Sequence, residues 1–99
     1  MAERLSREDR EGPLRVLRTA SWAVDEERDA ITKTYRFRDF VTAWRWMSGV
    51  AIWAEKLNHH PEWTNVYGTV EVTLTTHDAG GLTQLDLDLA QKMDFLARD

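Results

Sequence analysis

One long helical pattern with a two-strand pattern on each side restricts the fold of this chain more than any other feature. The helix is predicted over 40–57, FVTAWRWMSGVAIWAEKL, with Asp39 as its N-cap. Apolar residues at helical spacing predict its buried stripe, which comprises Phe40, Ala43, Trp44, Met47, Val50, Ala51 and Ala54. Trp46 and Trp53 lie off that stripe, so they either widen the buried face or form a subunit interface.

The segments on both sides of this helix have the pattern of β-hairpins. Residues 21–37 predict two strands joined by a polar turn at 25–29. Residues 63–67 and 69–76 predict two more strands that turn at Gly68. The apolar residues that alternate along these strands are expected to face inward, and they are Ile31, Tyr35, Phe37, Val70, Val72 and Leu74.

A helix is predicted near each terminus. The first follows the N-cap Ser6, and a break is expected inside it at Gly12 and Pro13. The last follows Thr83, which forms a capping box with Asp86. Its expected buried stripe is Leu85, Leu89, Met93 and Leu96. The prediction is therefore a single α+β domain over 1–99, ordered α-β-β-α-β-β-α, with a four-stranded antiparallel sheet covered on one face by helices.

Composition argues against several classes of function. The chain has no cysteine, which rules out disulfides and thiolate chemistry. The net charge is −4 and the basic residues are scattered along the sequence, which argues against direct binding of nucleic acid. No apolar run reaches the roughly 20 residues that span a bilayer, and the charged start does not resemble a signal peptide. We therefore expect a cytoplasmic protein without membrane association.

The three histidines of the chain are the candidate functional residues. Histidine can give and take a proton near neutral pH, and His59 and His60 stand side by side before Pro61. A residue before proline has an extended backbone, in which neighbouring side chains point to opposite sides. The two rings are therefore expected to hold different parts of one ligand, or only one of them faces it. The second hairpin should bring Trp63 close to His77, so all three histidines are expected at one end of the sheet.

Other interpretations of the same residues exist. Surface histidines often have no function, and a zinc site is disfavoured because the spacing of HExxH and cysteine ligands are both missing. Asp86 has a sufficient structural role as a helix cap. Glu55 could be only a solvated charge near the end of a helix.

The spacing of the candidate residues resembles that of a known family. Glu55, the run His59-His60-Pro61, Tyr67, His77 and Asp86 occur within AEKLNHHPEW, NVYGTVEVTLTTH and GLTQLDLDLAQKMD. This combined pattern is similar to that of the pterin-4a-carbinolamine dehydratases, and the resemblance extends from about Leu5 to Ala97. It implies the same order of elements and a homodimer or homotetramer in which sheets join across a dimer.

The resemblance also implies an activity. Such enzymes dehydrate a 4a-hydroxytetrahydropterin to the quinonoid dihydropterin and water, in the recycling of tetrahydrobiopterin-type cofactors, and need no metal or organic cofactor. An alternative carried by the same fold is a non-catalytic binding, assembly or transcriptional coactivator module.

The resemblance assigns a role to each matching residue. His59 and His77 are implied as the acid and base, with their order open, and His60 as a group that orients the pterin. Pro61 and Trp63 are implied as apolar walls of the site. The carboxylates are implied as supports, Asp86 for a histidine and Glu55 for the loop. Asn58 departs from the pattern, because close family members have aspartate beside the histidine pair.

Overall fold

The computed structural model describes residues 2–98 and contains one four-stranded antiparallel sheet in the order β1-β2-β4-β3. The elements are α1 (Arg7–Thr19), β1 (Ala23–Asp25), β2 (Ala30–Arg36), α2 (Phe40–Leu57), β3 (Glu62–Val66), β4 (Thr69–Leu74) and α3 (Gln84–Leu96), with a 3₁₀ turn (His77–Ala79) before α3. The two hairpins lie side by side, with β2 and β4 paired at the centre. This confirms the predicted α+β fold and the predicted order of its elements.

The buried face of α2 differs from the predicted stripe. Trp46 is buried, whereas Trp44 is 56% exposed and Phe40 and Ala51 are also exposed. The indole N–H of Trp46 donates to the backbone carbonyl of Met93 at 2.9 Å, so this ring can be buried without leaving a polar group unpaired. Since α2 is apolar on more than one face, its sequence could not identify the inner one. No helix within residues 2–98 is long and apolar enough to cross a membrane.

The first helix is continuous, so the expected break at Gly12 and Pro13 was wrong. Pro13 lies inside α1, and the carbonyl that its missing N–H would have bonded belongs to Asp9, which is exposed and can be solvated by water. The predicted N-cap is confirmed, since Ser6 accepts a hydrogen bond from the backbone N–H of Asp9.

The last helix also begins as predicted, with the capping box between Thr83 and Asp86 present. Its buried face is wider than the predicted stripe, and comprises Asp86, Leu87, Leu89, Ala90 and Met93. Leu85 and Leu96 are only partly buried. The difference has a simple cause, because α3 packs against both the sheet and α2 within one core cluster.

Asp29, at the end of the β1–β2 turn, joins three parts of the chain. Its carboxylate accepts hydrogen bonds from Arg10 at 2.5 Å, from Arg4 at 2.8 Å and from the backbone N–H of Leu82 at 3.2 Å. A Cβ atom at Gly81 would lie 2.0 Å from this carboxylate, so only glycine fits there. Burial alone would raise the pKa of Asp29, but these donors outweigh it and lower the pKa to about 2.

Asp29→Asn is expected to lower the free energy of unfolding near neutral pH by roughly 1–2 kcal/mol, a figure that allows for the solvent exposure of Arg4. The folded pKa of about 2 lies below the ordinary value of 3.8, so the stabilisation is complete above about pH 4 and is lost as the pH falls towards 2. Urea denaturation from about pH 6 down to about pH 2 should therefore show the wild-type and variant curves converging in acid. Asp25→Asn, in the same turn, is the control, and a constant difference at all pH values would contradict the role of Asp29.

Candidate active site

The two histidines that follow α2 differ in burial because of how the helix ends. Asn58 ends the helix in the left-handed conformation, with φ 52°, which asparagine tolerates better than most residues. The backbone N–H of His59 still donates to the carbonyl of Ala54 at 2.9 Å, so the chain turns sharply there. As a result, His59 is buried while the side chain of His60 is 60% exposed.

His59 is bound to the fully buried carboxylate of Asp86. The distance from His59 Nε2 to Asp86 Oδ1 is 2.5 Å. The other carboxylate oxygen accepts from the hydroxyl of Thr76 at 2.7 Å and from the backbone N–H of Thr83 at 2.9 Å. The two threonine hydroxyl oxygens are themselves 2.7 Å apart. Asp86 thus keeps the capping role predicted for it and also holds a histidine.

The hydrogen bonds around Asp86 indicate which way the neighbouring threonine hydroxyls donate. Thr76 has one hydroxyl proton, which it donates to Asp86, so Thr83 must donate to Thr76. The oxygen of Thr83 can then accept from the backbone N–H of Leu85 at 3.2 Å. If Asp86 is ionised, it completes this set by accepting from His59 Nε2–H. In that tautomer, Nδ1 is the ring nitrogen of His59 that remains for exchange of a proton.

The structure brings the three histidines together at one cleft of about 440 Å³. His59 and His60 enter it from the end of α2, and His77 enters it from the 3₁₀ turn. Asn58 and Glu62 also line this cleft. Asn58, the position at which the resemblance implies a departure from the family pattern, therefore lies at the wall of this cleft, next to the histidines. We call this space the histidine cleft.

Four of the residues implied for the site lie outside the lining of the histidine cleft, namely Glu55, Pro61, Trp63 and Asp86, and of these Asp86 is bound directly to His59. The expectation that Trp63 lies close to His77 was wrong, because strand pairing sets Trp63 opposite Val72. The ring of Trp63 instead lies 6.0 Å from that of Trp46, beside the core. The two-residue turn at Tyr67 and Gly68 pairs Val66 with Thr69 and therefore Trp63 with Val72, five residues before His77.

An exposed hydrogen bond and an exposed ion pair lie at the rim of the histidine cleft. Glu55 Oε2 is 2.6 Å from His60 Nε2, so Glu55 supports a histidine and not only the loop. Glu62 accepts two hydrogen bonds from Arg28, at 3.0 and 2.9 Å. The hydrogen bonds from Arg28, helped by the more distant charge of His77, lower the pKa of Glu62. Arg28 could not be identified from the sequence as a residue near the site, because it lies 34 positions from Glu62, its partner.

Within the described residues 2–98, no group of three or more His, Asp and Glu side chains is placed to hold a metal ion. The arrangement that is present is a buried carboxylate behind one histidine, with two further histidines on the same cleft. This arrangement suits proton transfer to and from a bound small molecule.

The fold and this site define a small α+β protein with a histidine–carboxylate centre. The family model described as Pterin 4 alpha carbinolamine dehydratase matches residues 3–96, and the chain therefore belongs to that family.

Individual relatives of high identity agree with that family. Two of them bear the name "Putative pterin-4-alpha-carbinolamine dehydratase". The protein from Dinoroseobacter shibae is 58% identical to this chain and the one from Roseobacter denitrificans is 60% identical, each over 97 residues. These alignments cover 98% of this chain and 100% and 99% of the relatives. A crystal structure of a transcriptional coactivator/pterin dehydratase from Brucella melitensis superposes with a TM-score of 0.90 at 44% identity, covering 97% of this chain and 100% of that one.

Asp86→Asn is expected to disturb both the fold and the tautomer of His59. An amide cannot accept all three hydrogen bonds that the carboxylate accepts, so the free energy of unfolding should fall by about 1–3 kcal/mol. Long-range ¹⁵N–¹H NMR of neutral His59 should show a single Nε2–H tautomer in the wild type and a mixture in the variant. Asp88→Asn, on the same helix, is the matched control, and an Nδ1–H tautomer in the wild type would refute the proton assignment.

Proposed function

We propose that this protein dehydrates 4a-hydroxytetrahydropterins to quinonoid dihydropterins, as part of recycling a tetrahydrobiopterin-type cofactor. The buried pair of His59 and Asp86, with His60 and His77 on the same cleft, is the observation that carries this proposal. Membership of the family and the names of its close relatives support the substrate class.

The reaction needs two proton transfers at neighbouring atoms of the pterin. The bond from C4a to its hydroxyl oxygen breaks, and a proton from an acid converts the leaving hydroxide to water. A base removes the proton from N5, and the electron pair left there forms the double bond between N5 and C4a. No net electron transfer occurs, and one proton is gained at oxygen for each proton lost at nitrogen.

His59 is proposed as the base and His77 as the acid. When Nδ1 of His59 accepts the proton of N5, the ring becomes positively charged, and the buried carboxylate of Asp86 at 2.5 Å compensates that charge. His77 is exposed and lies across the same cleft, where it can donate to the leaving oxygen and be reprotonated by water. His60, held by Glu55, is proposed to orient the pterin ring.

His59→Ala and His77→Ala are each expected to lower kcat for loss of chemically generated 4a-hydroxytetrahydropterin by about 100- to 10,000-fold, the usual value of acid–base catalysis. His60→Ala should raise KM more than it lowers kcat, because its proposed task is binding. Stopped-flow absorbance would measure all three variants, with Asp88→Asn as the control. If the wild-type protein does not accelerate the reaction, the proposed activity is wrong.

A second candidate function is that of a docking module, the non-catalytic alternative. The outer face of α2 exposes four large apolar side chains, Phe40, Val41, Trp44 and Ile52, within a surface helix. The Brucella relative is also described as a transcriptional coactivator. We propose that this face joins copies of the chain into a homodimer or homotetramer, and that a partner protein could occupy it instead.

Trp44→Glu is expected to dissociate such an oligomer, because a charge placed in an apolar contact loses its hydration without gaining a partner. Light scattering after size exclusion should show a smaller particle for this variant. Val16→Glu, at an exposed apolar position of α1, should leave the mass unchanged. A monomeric wild type, or equal masses for all three proteins, would count against assembly through α2.

A further inference from the structure

A second and larger cleft, of about 700 Å³, lies at the other ends of α2 and α3. It is formed by the α1–β1 turn, the end of β2, the start of α2 and the end of α3. Five cationic side chains line it, namely Lys33, Arg36, Arg38, Arg45 and Arg98, and the one acidic residue among its lining residues is Asp94. We call this space the basic cleft. The basic residues that look scattered along the sequence therefore do converge, in a chain whose net charge is −4.

The single carboxylate that lines the basic cleft already accepts three hydrogen bonds. Asp94 accepts hydrogen bonds from Lys33 at 2.7 Å, from Tyr35 at 2.5 Å and from the indole N–H of Trp22 at 2.9 Å. Burial, and then the hydrogen bond to Asp94, raise the pKa of Tyr35 well above its usual range, so its proton stays on the phenol. Asp94 thus binds Lys33 and two neutral donors, and no arginine lies within ion-pair distance of it in residues 2–98.

The arginines of the basic cleft are only weakly compensated. Arg38 lies 3.7 Å from the carboxylate of Asp39 and is highly exposed. Within residues 2–98, no carboxylate lies within ion-pair distance of Arg36 or Arg45. Positive charge therefore accumulates in a concave space, where field lines from several guanidinium groups add.

We propose that the basic cleft binds a small molecule that carries two or more linked phosphate groups. Its volume falls within the range of ligand pockets, and the planar fork of arginine matches phosphate oxygens. The half-buried ring of Phe37 adds an apolar surface to the same wall. A small ligand fits better than a nucleic acid, because an extended polyanion would also meet a surface on which acidic residues predominate.

Isothermal titration with inorganic triphosphate and with ATP tests this proposal. Both are expected to bind at low salt with a dissociation constant below about 1 mM, and more weakly as salt is added. Arg36→Gln and Arg45→Gln should each weaken binding about tenfold, the usual value of one charge-assisted hydrogen bond. Arg15→Gln removes the same charge from an exposed position on α1 and should bind like the wild type. If ATP binds more tightly than triphosphate, the ligand is a nucleotide. If the two bind equally, the cleft recognises only the phosphate groups.

Three results would overturn the proposal. One is the lack of binding at millimolar concentration of either ligand, and another is equal weakening by Arg15→Gln, which would mean that only net charge matters. The third is tighter binding of a single-stranded oligonucleotide than of either small ligand. Light scattering on Arg45→Gln completes the test. If this variant forms a particle of different mass from the wild type, and the wild type binds neither triphosphate nor ATP, the basic cleft is a contact between copies of the chain. His59→Ala should bind both ligands normally, which separates this proposal from the proposed dehydratase activity.

Discussion

The fully buried carboxylate of Asp86 is the group on which both the last helix and the histidine cleft depend. A buried charge is costly unless it is well hydrogen-bonded, and here three donors reach it from the loop after α2, from the end of β4 and from the start of α3. The same hydrogen bonds that begin α3 therefore fix the ring of His59. The capping role of Asp86 and its contact with His59 are not alternatives, because one carboxylate makes both sets of hydrogen bonds through its two oxygens.

The pairing of β2 with β4 determines which loops can meet at this carboxylate. Because the two hairpins lie side by side and antiparallel, the β1–β2 turn, the start of β3 and the end of β4 all lie at one end of the sheet. Arg28 can thus reach Glu62 from a different hairpin, and Asp29 can reach the backbone of Leu82 before α3. The histidine cleft is built on this end of a rigid sheet and not on an isolated loop.

The order of elements and the helix starts could be predicted because their causes are local. Ser6, Asp39 and Thr83 each bond backbone N–H groups within three residues, so a short segment contains the whole signal. The orientation of α2 could not be predicted, since the choice between Trp44 and Trp46 depends on a carbonyl of α3, 47 residues away. The convergence of cations in the basic cleft depends on the folded chain in the same way.

The two clefts differ in which groups the carboxylate beside each of them engages. Both carboxylates belong to α3, with Asp86 near its start and Asp94 near its end. Asp86 engages one nitrogen of a histidine ring, so the other nitrogen is left to accept or donate a proton. Asp94 engages Tyr35, whose raised pKa holds its proton, and a lysine ammonium, which has no acceptor. The first arrangement is therefore suited to acid–base chemistry, whereas the second leaves fixed positive charge that can only bind.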